Sequence, residues 1–275
     1  MKHYSAVTCY ADRDTLDMVA AVGGEFPITG MLDNEASLVL YFDEGNFTDQ
    51  TLDELRSWLP EGVDVEFEVG TVEEQNWNAV WEESFQPVIV DGFCGVRAHF
   101  HQPIPGVAHE IVITPKMSFG TGHHATTHLM IQQMRSIDFT GKKVLDFGTG
   151  TGILAILADK MGAQNVLAID YDEWSITNTM ENLIQNSSQN VKVEKYDAVP
   201  VNENFDIVLA NINLNVIMSN LDAIVKVSKP GAQILLSGFL EENEGEMGAA
   251  LEQSGLEHLY SAVKGDWVVM VAKKL

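Results

Sequence analysis

The sequence predicts an α/β protein in which a small α+β unit precedes a doubly wound parallel sheet. Strand and helix patterns alternate from residue 128 onward, whereas the first 70 residues follow a different element order. Such alternation gives a mostly parallel sheet with helices on both faces. The 275 residues suit roughly two domains, and the apolar share of 45% excludes a disordered or fibrous chain.

Residues 1–70 predict the order strand, helix, strand, strand, helix, strand. We expect strands at 3–10, 26–32, 37–42 and 63–69, with a turn at Asp33-Asn34. Asp12 is suited to cap the first helix, and Thr48 or Asp49 the second. This β-α-β-β-α-β order is ferredoxin-like, a fold that hosts many functions and specifies none.

The segment 72–86 predicts a connecting helix with Trp77, Trp81 and Phe85 on one apolar stripe. We expect the stripe to pack against a neighbouring element rather than to bind a ligand. Two strands are predicted near 88–100 and 109–114. The predicted organisation is therefore a first domain at 1–70, a linker at 71–100 and an α/β domain at 101–275.

The α/β domain shows the alternation most clearly. We predict helices at 123–137, 153–161, 174–186 and 215–228, and strands at 142–147, 165–170, 191–196, 205–210 and 233–237. Pro230-Gly231 is expected to turn into the last of these strands. The segments 256–260 and 267–272 predict an antiparallel pair at the sheet edge.

Acidic residues dominate the charge. The chain has 40 Asp and Glu against 16 Lys and Arg, and residues 1–70 carry a net −12 of the total −24. Such a chain repels phosphate backbones and anionic membranes, so we expect neither as a partner. The acidic first domain suits a basic partner, and a purely solubilising surface is the alternative.

The cysteine content and the N-terminal residues indicate the cellular compartment. Cys9 and Cys94 fit neither a disulfide framework nor a four-ligand zinc site. No apolar segment follows Met1 as in a signal peptide, and no apolar run approaches the roughly 20 residues of a membrane span. The sequence therefore predicts a cytoplasmic protein.

A glycine-rich turn follows a predicted strand and opens a helix, with the sequence Asp-Phe-Gly-Thr-Gly-Thr-Gly at 146–152. Glycines there allow a tight turn and close backbone approach to a ligand. The dinucleotide fingerprint is G-x-G-x-x-G, but here the third glycine comes one place early, and no P-loop lysine follows. The turn resembles motif I of class I S-adenosylmethionine-dependent methyltransferases.

Carboxylates end the next two strands. Asp170 lies 20 residues after Gly150, where it can accept hydrogen bonds from both hydroxyls of a ribose. A helix N-cap is the alternative role for Asp170. Asp197 ends the following strand, where the methyltransferase resemblance implies adenine contacts, and a structural role stays equally open.

An asparagine ends the next strand, in the sequence Ala-Asn-Ile-Asn at 210–213. The amide oxygen of Asn211 and adjacent carbonyls can orient an amine N–H at the cleft. The position is similar to the Asn-Pro-Pro-aromatic motif of amino-group methyltransferases, but the prolines and the aromatic are missing. That aromatic stacks on flat substrates, so its absence favours a flexible alkyl amine. A simple loop-forming role is the alternative.

Three histidines, His123, His124 and His128, raise the question of a metal. Adjacent histidines on a helix point about 100° apart, and no carboxylate lies within a turn of them. We therefore expect no metal site.

The segment 119–127, Phe-Gly-Thr-Gly-His-His-Ala-Thr-Thr, is similar to the signature of the ribosomal protein L11 methyltransferases (PrmA type). The segments 144–152, 209–212 and 236–240 and the tryptophan-bearing helix also match, so the resemblance covers nearly the whole chain. It implies a ferredoxin-like domain that binds the ribosomal protein, a linker and a Rossmann-like class I methyltransferase domain.

The resemblance also implies site residues. Thr127, Gly148, Asp170 and Asn211 match the family's positions that contact S-adenosylmethionine, and Gly150 belongs to the same glycine turn. His124 lies beside that pocket, where we expect it to shape the site or relay a proton. Asn213 stands where the family often has an aliphatic residue.

The resulting hypothesis is an S-adenosylmethionine-dependent protein-lysine N-methyltransferase, with Asn211 and His124 as catalytic candidates. Its targets are lysine ε-amines of large-subunit ribosomal protein L11, with the N-terminal α-amine as a further candidate. Two alternatives stay open: a small-molecule amine methyltransferase and a non-catalytic cofactor-binding regulator. The acidic first domain favours the protein substrate over a small amine. We expect a monomer.

Overall fold

The computed structural model describes residues 3–23, 26–34, 37–43, 45–60, 63–73, 86–115 and 122–275. The chain divides into two compact units, Met1–Ser84 and Phe85–Leu275. The finer division into 1–70, 71–100 and 101–275 stays a prediction. Most of the predicted connecting helix, including Trp77, Trp81 and Phe85, lies outside the described residues, and a strand occupies its first two positions, 72 and 73.

The first unit has the predicted element order. Its elements are β1 (His3–Tyr10), α1 (Arg13–Gly23), β2 (Ile28–Asn34), β3 (Ser37–Asp43), α2 (Asp49–Ser57) and β4 (Glu66–Glu73). The strands form an antiparallel sheet in the order β2-β3-β1-β4. The ferredoxin-like prediction is therefore confirmed.

Local capping explains where both helices of this unit begin. The Asp12 carboxylate accepts a hydrogen bond from the amide of Thr15 at 3.0 Å, as predicted for α1. Thr48, rather than Asp49, caps α2. The predicted turn at Asp33-Asn34 is wrong, because Asp33 pairs with Leu38 within the β2–β3 ladder. The cross-strand pairing extends two residues further than the turn-forming residue types indicated.

The two helices pack against one face of this sheet. Its core joins alternate residues of the strands with apolar residues of α1 and α2, namely Val7, Cys9, Leu38, Leu40, Phe42, Leu16, Val19 and Leu55. Burial raises the pKa of the Cys9 thiol to about 12, so this cysteine is an inert core residue.

The second unit opens with a small sheet in the order β5-β6-β7, over the residues that the structure describes. Its strands are β5 (Val88–Val90), β6 (Cys94–Ala98) and β7 (His109–Ile113). The single strand predicted near 88–100 is two strands, because Asp91 and Gly92 turn the chain with φ of +49° and +64°. Gly92 suits that conformation, which L-residues with side chains seldom adopt.

The remaining strands of the described chain form one seven-stranded sheet in the order β10-β9-β8-β11-β12-β14-β13. They are β8 (Lys143–Phe147), β9 (Asn165–Asp170), β10 (Val191–Lys195), β11 (Phe205–Asn211), β12 (Ser228–Leu240), β13 (Leu256–Lys264) and β14 (Trp267–Lys274). The five strands from β10 to β12 run parallel, and β13 and β14 add an antiparallel edge. The doubly wound sheet and its antiparallel edge are confirmed.

Helices cover both faces of this sheet. They are α3 (Ala125–Met134), α4 (Ile153–Lys160), α5 (Glu173–Gln185), α6 (Leu214–Val227) and α7 (Glu244–Gln253). Apolar residues of α3, α4 and α5 share one buried cluster, and those of α6 and α7 share another. The sheet therefore separates two hydrophobic cores and contributes residues to both. None of the described helices has the length and apolar character needed to cross a bilayer.

Two features of this unit were not predicted. Helix α7 buries Met247 and Leu251, but Gly245 and Gly248 weaken its helical pattern. Strand β12 begins at Ser228, five residues before the predicted start at 233. Its pairing with β11 shifts register between Ser228 and Gln233, and Gly231 lies in that stretch with φ of +79°. The predicted Pro-Gly turn is therefore an irregularity within the strand.

Candidate active site

A cavity of about 660 Å³ lies where the parallel strands of the large sheet end. Most residues that line the cavity are at the ends of those strands or follow them. They are Phe147, Gly148 and Gly150 at the end of β8, Asp170, Tyr171, Asp172 and Ser175 at the end of β9, Tyr196 and Asp197 beyond β10, Asn211, Ile212, Asn213 and Val216 at the end of β11, and Gly238 on β12. His124 and Trp267 complete it. Open parallel sheets bind ligands at this edge, near the point where the strand order reverses.

The glycine turn between β8 and α4 forms one wall. Gly148, Gly150 and Gly152 all have positive φ, at +77°, +56° and +82°. A Cβ on Gly148 would overlap Cγ2 of Ile212. Both the conformation and the space therefore require glycine here, and the exposed backbone can approach a ligand closely.

The Asp170 carboxylate fixes this turn from the neighbouring strand. Oδ2 accepts a hydrogen bond from the amide of Gly150, and Oδ1 accepts one from the amide of Asp172, both at 3.0 Å. Asp170 is buried yet lines the cavity. Each carboxylate oxygen can accept a second hydrogen bond, so donors such as ribose hydroxyls remain compatible with it. Asp172, and not Asp170, caps α5.

Asp146 lies in the core behind the turn. The hydroxyl of Thr149 donates to its Oδ2 at 2.7 Å. Burial raises the pKa of the Asp146 carboxyl to about 7, while the hydrogen bonds from Thr149 and the amide of Ala155 lower it, and the nearby charge of Asp170 adds to the rise. Asp146 therefore stabilises the glycine turn from the core side, through its hydrogen bond with Thr149.

Asn211 ends β11 and brings an amide group to the cavity wall. Its Nδ2 donates to Oγ1 of Thr127 on α3 at 3.3 Å. Its Oδ1 is buried and has no hydrogen-bond partner among the described residues. A buried acceptor without a partner costs free energy, so this oxygen is suited to a ligand's N–H. Thr127 itself lines a small cavity shared with Gly148, Gly150 and Asn211.

His124 begins helix α3 at the cavity rim. Its Nδ1 accepts a hydrogen bond from the amide of Thr126 at 3.3 Å and lies 2.8 Å from the hydroxyl of that residue. Its ring packs edge-on against Trp267, with centroids 4.5 Å apart. These contacts fix the imidazole as a cap and as part of the wall.

The other two histidines of that segment have different surroundings. His123 Nε2 lies 2.9 Å from the carbonyl oxygen of Gln86. Burial lowers the pKa of His128, which lies within α3. The part of the chain that the structure describes holds no cluster of three His, Cys, Asp or Glu residues suited to a metal. The absence of a metal site stays a prediction.

Sequence reasoning did not assign Tyr171, Tyr196, Trp267 and Gly238 to the site. The two tyrosines follow strand ends, and that position was an available signal. Trp267 comes from the edge hairpin, so only the fold brings it near His124. Asn213 caps α6, accepting a hydrogen bond from the amide of Val216 at 3.0 Å, which gives this departure from the family pattern a structural role.

The doubly wound sheet, the glycine turn and the acid that ends the next strand together define a class. The protein is a Rossmann-like S-adenosylmethionine-dependent methyltransferase. Within that class, the chain belongs to the ribosomal protein L11 methyltransferase (PrmA) family, whose model matches residues 5–275. The resemblance found in the sequence is thereby confirmed.

Individual relatives agree over nearly the whole length. The chain is 34% identical to the ribosomal protein L11 methyltransferase of Phocaeicola vulgatus, with 92% of each chain covered. It is 35% identical to that of Chlorobaculum tepidum, covering 94% of this chain and 92% of the relative. The crystal structure of a ribosomal protein L11 methylase from Lactobacillus delbrueckii subsp. bulgaricus superposes with a TM-score of 0.65 and 25% identity, over 70% of this chain and all of the other.

Gly238 is expected to be essential for the site's geometry. It has φ of +100°, and a Cβ there would overlap the carbonyl oxygen of Ile212. Gly238→Ala must therefore displace the backbone beside Asn211, and we predict a loss of kcat of about 100-fold, as expected for misplaced reactants. Steady-state kinetics with circular dichroism as a folding check measures this.

The matched control is Gly245→Ala. Gly245 lies on α7, where an added Cβ meets nothing within 4 Å. This variant should keep wild-type kcat and lose no stability, because alanine favours a helix more than glycine does. Wild-type turnover in Gly238→Ala would contradict the role of close packing at Ile212.

Proposed function

We propose that this methyltransferase modifies lysine ε-amines of ribosomal protein L11, with the N-terminal α-amine as a further target. The observation that carries the proposal is the Asn211 side chain, which lines the cavity and whose buried amide oxygen has no partner among the described residues. The proposal also draws on the names of the relatives, which are ribosomal protein L11 methyltransferases.

The cavity residues fit S-adenosylmethionine. Gly148 and Gly150 line the cavity without side chains, so a ligand can approach their backbone closely. Asp170 offers acceptors suited to the ribose hydroxyls, and Asp197 lies further along the same wall, where we assign it to the adenine. We assign Thr127 and Asn211 to the methionine end. When bound, S-adenosylmethionine supplies an electrophilic methyl group on its sulfonium.

A lysine substrate must reach the site in its neutral form. With a pKa near ~10.4, only about 0.04% of a free lysine is neutral at pH 7, which corresponds to roughly 4.6 kcal/mol. Desolvation in this cavity lowers the lysine pKa and reduces that cost. No dedicated base is then required, because water can take the proton before attack.

Asn211 aligns the neutral amine in this scheme. Its Oδ1 accepts an N–H of the amine, which turns the nitrogen lone pair towards the transferable methyl group. The bond from its Nδ2 to Thr127 holds the amide plane in place. Alignment of two reactants can contribute roughly 7–11 kcal/mol to a reaction of this kind.

The geometry favours a role for His124 in lining the cavity over a role in relaying a proton. Its Nδ1 is engaged with Thr126, and its ring contacts Trp267. We therefore propose that His124 and Trp267 together bound the channel for the alkyl part of the lysine.

The first unit is proposed to recognise the protein substrate. Residues 1–70 carry a net charge of −12 and so attract a basic ribosomal protein. A small amine would not need this unit, so its charge favours the protein substrate over the small-molecule alternative. Cytoplasmic location, a monomeric state and the absence of direct nucleic-acid binding stay predictions.

Replacing Asn211 tests the alignment role. Asn211→Ala should lower kcat for the ribosomal protein by about 100-fold, about 2.7 kcal/mol of activation free energy, because the amine loses its orienting acceptor. The KM for the ribosomal protein should change little. Methyl incorporation followed by mass spectrometry gives both values and identifies the modified amines.

Asn220→Ala provides a control for the loss of an asparagine side chain that makes hydrogen bonds within the protein. Asn220 lies on α6, accepts from the amide of Val199 and donates to the carbonyl of Val216, and does not line the cavity. It should lose stability but keep kcat. A wild-type kcat in Asn211→Ala would remove Asn211 from the mechanism.

Salt should weaken capture of the ribosomal protein. Exposed charges are screened over about 8 Å at physiological ionic strength, and steering acts mainly on association. Raising NaCl from low to high concentration should therefore raise the KM for the ribosomal protein by about 10-fold. The Kd for S-adenosylhomocysteine, measured by calorimetry, should stay nearly constant.

Charge-neutralising variants separate steering from a general salt effect. The first set neutralises exposed carboxylates of the first unit: Asp53→Asn, Glu54→Gln and Asp64→Asn. The control set neutralises exposed carboxylates of the second unit: Glu246→Gln, Glu252→Gln and Glu257→Gln. The first set should raise KM and flatten its salt dependence more than the second. Equal effects of the two sets would leave the acidic surface a solubilising one.

A further inference from the structure

Helix α5 and the residue that caps its C-terminus carry a ladder of asparagines, Asn178, Asn182 and Asn186, spaced four residues apart. Asn178 and Asn182 are completely buried. They face strand β7, which forms an edge of the small three-stranded sheet. Four residues of helix rise about 6.0 Å, close to the roughly 6.6 Å between alternate residues of a strand. Side-chain amides on the helix can therefore pair with the backbone of every second residue on β7 and just beyond it.

Asn186 and Asn182 follow that spacing, and Asn178 bonds to the same residue as Asn182. Asn186 accepts from the amide of Val112 at 2.9 Å and donates to its carbonyl at 2.6 Å. Asn182 accepts from the amide of Thr114 at 2.8 Å, and Asn178 donates to the carbonyl of Thr114 at 3.3 Å. The ladder thus takes the place of a neighbouring strand along this edge.

The same helix also donates hydrogen bonds to the glycine turn of the cavity. Nδ2 of Asn182 donates to the carbonyl of Thr151 at 2.8 Å, and the Thr179 hydroxyl donates to the carbonyl of Gly150 at 2.9 Å. The amide on the other side of Gly150 is held by Asp170. A Cβ on Gly152 would approach Cγ2 of Thr179 to 2.8 Å, so helix and turn are in close contact.

We infer that Asn182 and Thr179 are positioning residues for the cofactor, acting through the carbonyls of Thr151 and Gly150. Without these donors the two carbonyls lose buried partners, and the turn is free to rotate its peptides away from the cavity. The inference rests on the proposed assignment of this cavity to S-adenosylmethionine. Asn186 makes a similar set of hydrogen bonds to the β7 edge but does not touch the turn.

The experiment compares Kd for S-adenosylhomocysteine with thermal stability in full-length variants. Thr179→Val removes the hydroxyl and keeps the shape, and Thr179→Ser restores the donor. We expect about a 10-fold higher Kd in Thr179→Val and a Kd near wild type in Thr179→Ser. Calorimetry well below the Tm of each variant gives these values.

Asn182→Leu and Asn186→Leu form the second pair, matched because each residue makes three hydrogen bonds. Both should lower the Tm, but only Asn182→Leu should raise the Kd, by about 10-fold or more. A Kd that rises equally in both would overturn the inference and leave the ladder a purely structural device. Should Asn182→Leu fail to fold, the Thr179 pair decides alone.

Asp170→Ala separates this inference from the cofactor assignment itself. A weakened Kd in Asp170→Ala together with a wild-type Kd in Thr179→Val would overturn only the positioning role. An unchanged Kd in Asp170→Ala would overturn the assignment of the cavity, and the inference would fall with it.

Discussion

The hydrogen bonds of the Asp170 carboxylate are the constraint on which the cavity depends. They tie the glycine turn after β8 to the first residues after β9 by accepting the amides of Gly150 and Asp172. Strands β8 and β9 are parallel neighbours, so the bonds join two adjacent strand ends. Because both bonds use a charged acceptor, they are stronger than neutral hydrogen bonds. The turn is therefore held in one shape by bonds within the protein.

A second constraint is steric and lies on the other side of the turn. Ile212 occupies the space beside Gly148, and its backbone passes directly over Gly238. The segment after β11 is thus confined between the ends of β8 and β12, its two neighbours in the sheet. This confinement places the Asn211 amide at the cavity wall. Hydrogen bonds on one side and close packing on the other fix the polar groups that line the cavity.

The sequence was sufficient to predict elements whose signals are local. The glycine turn, the acid ending β9 and the asparagine ending β11 follow from residue type and strand position, and all three line the cavity. Trp267 was beyond such reasoning because the pairing of β14 with β12 brings it near His124. The turn at Asp33-Asn34 failed for a related reason, since cross-strand pairing with β3 outweighs local turn preference. Helix α7 was missed because its glycines obscure a pattern that tertiary packing stabilises.

We propose that this cavity holds S-adenosylmethionine with its ribose on Asp170. A crystal structure of the chain with S-adenosylhomocysteine tests it most directly. We expect density in the cavity, both ribose hydroxyls within hydrogen-bond distance of the Asp170 carboxylate, and the homocysteine end beside Asn211 and Thr127. Density for the ligand away from the glycine turn, or a ribose that does not contact Asp170, would show that the cofactor does not bind in this way.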